Sequence, residues 1–108
     1  MSKTKFKHVG LLVKRSDLTF EEFLNHWKNV HSEIAKKTPG LLAYTINPID
    51  RREYPDSPID GFSELWFESI ESAKNAFAGE AGKEAFDDVP NFCDRVAATY
   101  IVEVPVVE

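Results

Sequence analysis

The apolar positions change period several times along the chain, and each change marks an element. Lys7-His8-Val9-Gly10-Leu11-Leu12-Val13-Lys14 is densely apolar and predicts a strand buried on both faces, as in the centre of a sheet. Arg15 to Leu18 reads as a turn. Thr19-Phe20-Glu21-Glu22 has the spacing of a capping box, in which the threonine hydroxyl and the glutamate satisfy each other's backbone amides. Phe20, Phe23, Leu24, Trp27, Val30, His31 and Ile34 then recur at three and four, which predicts one helical stripe. Lys36 and Lys37 suit the negative end of that helix, and Pro39-Gly40 stops it. Leu41 to Asn47 alternates as a second strand, with Leu42, Tyr44 and Ile46 on one face. Asn47 to Gly61 is a long loop with Pro48, Pro55 and Pro58, of a length usually functional or mobile. Phe62 to Glu68 is the third strand, and Ser69 caps a helix from Ile70 to about Ala78. Gly79 and Gly82 interrupt it, and a further helical piece runs from Lys83 to about Asp88, before Pro90. Ala98 to Val104 is the last strand, with Pro105 at its end.

The order is βαββαβ, the split βαβ of a ferredoxin-like α+β fold. It predicts a four-stranded antiparallel sheet with helices on one face, in a single domain over residues 1–108. Leu11, Leu65, Phe67 and Ile101 supply apolar groups to both sheet faces. A bare apolar face calls for a partner, and the simplest is a second copy about a two-fold axis.

Composition narrows the function classes. The 108 residues suit one domain, and 43% hydrophobic with 29% charged residues excludes disorder. The net charge of −5 leaves no basic stripe for a nucleic-acid backbone. The apolar runs are too short to span a membrane, and Met1 to Lys5 lead into the first strand without an apolar signal region. The single Cys93 excludes an internal disulfide and fits a reducing, cytoplasmic setting.

The candidate chemistry centres on His31 and Tyr44. His31 falls on the apolar stripe one turn after Trp27, so it faces the sheet. Desolvation there favours a neutral imidazole that can act as a general base, or a core histidine satisfied by a carbonyl. Tyr44 is buried or lines a cavity, and its hydroxyl needs a polar partner, for which His31 is a candidate. Trp27 and Trp66 are core or pocket groups. Glu64 shares a strand face with Trp66 and Phe62, as a buried acid or as a paired rim carboxylate. His26 lies off the stripe, where an ion pair with Glu22 explains it. His26 and His31 stand five residues apart, about 140° around an α-helix, and so do not share a face. No metal set is visible. Cys93 reads as a buried small hydrophobe, and Arg51 and Arg52 as a solvated pair that could meet an acidic ligand.

Leu18-Thr19-Phe20-Glu21-Glu22-Phe23 with His26-Trp27 and His31, then Pro39-Gly40-Leu41 with Tyr44, then Asp60 to Ser69, together resemble EthD-domain proteins from about Lys7 to Val104. The resemblance implies a dimeric α+β barrel, in which two ferredoxin-like protomers pack sheet to sheet. It also implies cofactor-free chemistry on small hydrophobic or aromatic metabolites, as in catabolism. In a methylmuconolactone methylisomerase of this kind, the helix histidine matches His31 and the strand tyrosine matches Tyr44. Its third-strand cysteine falls on Leu65 here, so lactone isomerisation itself is not implied. The leading expectation is a small isomerase, cyclase or lyase without cofactor, acting on a cyclic aromatic or lactone-like metabolite. In it His31 is base or acid, Tyr44 donates to a carbonyl or enolate oxygen, and Trp27, Trp66, Phe67 and Glu64 contact substrate. Two alternatives stay open: a haem-binding or oxygen-handling monooxygenase of the same barrel, with His31 as axial ligand, and a non-catalytic binding protein.

Overall fold

The computed structural model describes residues 6–107. The reading of Met1 to Lys5 falls outside them. Strands β1 (Phe6–Lys14), β2 (Ala43–Pro48), β3 (Gly61–Phe67) and β4 (Cys93–Val102) form one antiparallel sheet in the order β2-β3-β1-β4. Helices α1 (Phe20–His26), α2 (Ser32–Ala35), α3 (Ile70–Ala78) and α4 (Glu80–Asp88) cover one face. This is the expected ferredoxin-like arrangement. β4 begins earlier than the sequence suggested. It pairs with β1 along its length at the sheet edge, where exposed Asp94 and Arg95 are tolerated because only one side of the strand is buried.

The capping box forms as expected. Thr19 Oγ1 accepts from the Glu22 amide at 3.0 Å, and Glu22 Oε1 accepts from the Thr19 amide at 2.8 Å. The helix does not stay α-helical. Trp27–His31 is a π-helical turn, closed by the Ser32 amide donating to the Trp27 carbonyl five residues back. The Ser32 hydroxyl donates to the same carbonyl at 2.7 Å. One extra residue in a turn rotates everything after it. The expected stripe therefore breaks: Val30 is 42% exposed, while Ala35 is 4% exposed and takes the inward place.

Two apolar clusters hold the helices on the sheet. One joins Phe23 and Trp27 to Leu12, Phe92 and Cys93. The other joins Leu65 and Phe67 to Ala73 and Ala76. Gly61 permits the first, since a Cβ there would stand 2.6 Å from the Trp27 ring. The first helical run ends at Ala35, and Gly40, at φ +79°, lies in the turn that follows, in a backbone region that other residues rarely adopt.

The long loop is organised rather than loose. The Arg51 guanidinium donates to the carbonyls of Pro55, Ser57 and Ile59 at 3.0 Å each, and to buried Asp60. Asp60 also accepts from the Lys14 amide at 2.8 Å. Arg51 is thus the staple of its own loop and not a solvated charge awaiting a ligand.

Candidate functional site

A cavity of about 190 Å³ lies between the helices and the covered sheet face, among residues of both clusters. The sheet contributes His8, Gly10 and Leu12 from β1, Tyr44 from β2, Ser63 and Leu65 from β3, and Tyr100 from β4. His31, Ala35, Phe77 and Phe86 close it from the helix side. The walls are mainly apolar, with a few convergent polar groups, as small-molecule sites are.

His31 and Tyr44 both reach this cavity, but they do not hydrogen-bond each other. His31 Nδ1 is held by Asp88 Oδ2 at 2.8 Å. His26 Nε2 meets both oxygens of the same carboxylate at 3.0 Å, and Asn91 Nδ2 donates to Oδ1 at 3.0 Å. Both imidazoles pack against Phe92, with ring centres 4.9 and 4.8 Å away. The expected His26–Glu22 pair is therefore replaced, because Glu22 is occupied in the cap. The 140° separation is also corrected. Across a turn closed every five residues, positions 26 and 31 come back into line.

The electrostatics follow from these contacts. Burial works against an ionised Asp88, yet the bonds from Asn91, His26 and His31 outweigh it and hold the carboxyl below its ordinary value. An ionised Asp88 only accepts, so His31 carries its proton on Nδ1. Nε2 then holds the lone pair and has no protein partner among the described residues. Burial pushes the His31 pKa down, with Asp88 opposing in part. At neutral pH this imidazole is uncharged.

Tyr44 finds Ser32 instead of His31, at a long 3.4 Å. Burial pushes its hydroxyl above the ordinary tyrosine value, with the Ser32 hydroxyl and the Trp27 side chain pulling the other way. Trp27 Nε1 has no partner in hydrogen-bond geometry among the described residues, so the indole acts on Tyr44 by proximity. Tyr44 is a protonated donor throughout the physiological range.

The other expected contacts fall outside the cavity wall. Trp27 and Phe67 are buried in the two clusters behind it. Glu64 and Trp66 lie on the opposite, uncovered sheet face. There Glu64 pairs with Lys7 at 2.7 Å and accepts from Asn47 at 3.0 Å, and the Trp66 indole donates to Glu103 at 3.0 Å. Strand alternation dictates this: Leu65 and Phe67 face the helices, so residues 64 and 66 face away. Cys93 is buried as expected, its thiol pushed up to about 12 by burial and by Asp60, Asp88 and Asp94.

The structure adds two residues that the sequence reading passed over. Asp88 carries no local signal, since in the sequence it is only the last residue of a helical piece before Pro90. His8 was absorbed into an apolar strand, although a histidine amid Val9, Leu11 and Leu12 was a visible anomaly. Among the described residues no group of three or more His, Cys, Asp or Glu side chains is arranged to hold a metal ion, and no helix is long and apolar enough to cross a membrane.

A family model for the EthD domain matches residues 15–96. An EthD family protein from Bacillus halodurans shares the fold with a TM-score of 0.81 at 22% identity, over 93% of this chain and 99% of its own. A dimeric protein of unknown function and ferredoxin-like fold from Bacteroides fragilis gives 0.69 at 16% identity, over 92% and 96%. A hydroxynitrile lyase from Passiflora edulis gives 0.73 at 11% identity, over 96% and 97%. No curated protein matches the sequence.

Proposed function

This chain belongs to the EthD-domain family, and from that premise we propose that its cavity is a cofactor-free proton-transfer site for a small cyclic, aromatic or lactone-like metabolite. The observation that carries the reading is the His31–Asp88 pair at 2.8 Å on the wall of an apolar cavity. The carboxylate fixes the tautomer and leaves Nε2 as a base. Nε2 takes a proton from carbon beside a carbonyl, and the Tyr44 hydroxyl donates to the oxygen on which charge develops. The imidazolium, stabilised by Asp88, returns the proton at a second position or to a leaving group. Isomerisation, cyclisation and lyase chemistry share this sequence of steps. A positioned acid–base group of this kind contributes about 10²–10⁴-fold in rate. Trp27 and Phe67 support the wall from behind.

Size limits the substrate. A dry cavity of about 150 Å³ takes one benzene, so about 190 Å³ suits one substituted ring. We assign the uncovered sheet face, with Glu64 and Trp66, to a homodimer closed into a barrel. The dimeric Bacteroides fragilis protein of the same fold supports this.

The test begins with native mass spectrometry and a visible spectrum of protein from its own host. A dimer carrying a one-ring metabolite is expected, and a Soret band would overturn the cofactor-free reading. Turnover of that metabolite should fall about 10²–10⁴-fold in His31→Gln. Unchanged turnover would leave a binding protein.

A further inference from the structure

We propose that His8 is a second, distal hydrogen-bonding group of the cavity, and that its ligand is an uncharged one-ring molecule bearing an oxygen function at each end. The inference rests on the cavity's being the ligand site, and adds what the ligand must look like.

Strand register places the two ends. Tyr44, Leu65, His8 and Tyr100 are consecutive partners across the sheet, and His8, like Tyr44, lines the cavity. Tyr44 and His8 therefore stand two strands apart, with Cα atoms separated by roughly 10 Å. Leu65 between them is an apolar floor. The neighbouring row across β3, β1 and β4 is Ser63, Gly10 and Ala98, three small residues that leave room above the sheet. A flat ring fits over Leu65 and this row, with one edge toward Tyr44 and the other toward His8.

His8 has an unmet need. Its Nδ1 is buried and has no hydrogen-bond partner among the described residues. Its ring packs against Phe77 and Tyr100, with centres at 4.7 and 5.5 Å. A buried polar atom left unpaired is costly, and such groups call for an explanation. A ligand hydroxyl or carbonyl in the cavity would meet the ring at its other nitrogen, Nε2, which is neither buried nor bonded to protein among the described residues. Burial pushes the His8 pKa down, so the neutral ring can donate or accept according to its tautomer. Among the described residues no Lys or Arg lines the cavity, which disfavours a carboxylate and selects neutral oxygen functions.

The test compares 4-hydroxybenzyl alcohol, with an oxygen at each end of the ring, against benzyl alcohol and p-cresol, which keep one each. The intact protein should bind the first about tenfold more tightly than either of the others. His8→Leu should collapse that preference to about twofold or less, and His8→Gln should keep part of it. Imidazole ¹⁵N spectra of the unaltered protein provide a check that needs no variant: saturation with 4-hydroxybenzyl alcohol should move the His8 Nε2 signal. Equal binding of the three probes, a preference that survives in His8→Leu, or a stationary His8 nitrogen would overturn the assignment of His8 alone. Failure of all three probes to perturb His31 and Tyr44 would overturn the cavity reading with it.

Discussion

His31 Nδ1 and Asp88 Oδ2 meet at 2.8 Å although the residues are 57 positions apart. They meet because α4 ends against the π-helical turn of the first helix, where His26 joins the same carboxylate. Asp88 thus acts through His31: it sets the tautomer and supports the imidazolium. Replacing it by Asn removes the partner that holds the His31 pKa up. Asp88→Asn should lower that pKa further, leave burial unchanged and reduce turnover. It should also destabilise the fold by about 1–3 kcal/mol, since His26, His31 and Asn91 are left to share one acceptor oxygen in place of two. A ¹⁵N titration of the imidazoles measures the first effect directly. An unmoved His31 pKa would refute the coupling.

The sequence contained most of the architecture, because strand alternation, the Thr19–Glu22 box and the Pro39-Gly40 stop are local signals. It also placed His31 and Tyr44 on inward faces. What it hid was non-local. The π turn depends on how Trp27 seats over Gly61 and on Ser32 closing back to the Trp27 carbonyl, neither of which has a periodic signature. The phase change after Trp27 moved Val30 out and brought His26 into line with His31. Asp88 could be found only once helices distant in sequence were packed together. Glu64 and Trp66 went to the uncovered face because face assignment needs the register of β3, and the apolar density of that strand is similar on both sides.

Stability should fall on mild acidification. His8 and His31 both have folded pKa values pushed below the ordinary 6.5 by burial. The unfolded chain binds protons first, so their contribution is fully present above pH 6.5 and is lost as pH falls below it through the folded values. Urea midpoints measured from pH 7.5 to 5 should decline, before the carboxylates titrate. His8→Leu should flatten part of that slope. A midpoint constant over this range would contradict the buried, neutral imidazoles. The pH profile of kcat/KM should rise through the depressed His31 pKa and then hold level, because Tyr44 stays protonated to beyond its ordinary value.

Gly61 and Gly79 form a matched pair. A Cβ at Gly61 would collide with the Trp27 ring and lie 2.8 Å from the Asn47 carbonyl oxygen, whereas at Gly79 the nearest atom is 3.6 Å away. Gly61→Ala should cost about 1–3 kcal/mol by overpacking, and Gly79→Ala should stay within about 0.5 kcal/mol. Because Trp27 opens the π turn, Gly61→Ala should also disturb the His26 and His31 imidazole signals. Equal stability of the two variants in urea would show that Trp27 does not need the space.

The uncovered sheet face has its own consequence. β1 lies inside the sheet, and its outward residues Val9, Leu11 and Val13 form an apolar strip, with Leu11 38% exposed in the isolated protomer. Beside this strip the Lys7 ammonium sits between Glu64 and Glu103 at 2.7 and 3.0 Å. Burial works against its charge, but the two carboxylates prevail and raise its pKa. A polar cluster already paired within one protomer can be covered without leaving a lone charge, and the apolar strip gains by being covered. Sedimentation at micromolar concentration should therefore show a dimer. Leu11→Asp, which sets an unpaired carboxylate in the middle of the strip, should give a monomer that keeps its helical spectrum. Since the cavity opens on the other face of the sheet, that monomer should still bind a one-ring ligand, though less tightly if dimerisation stiffens the floor. A wild-type monomer at these concentrations would refute the barrel, and a Leu11→Asp dimer would place the interface elsewhere.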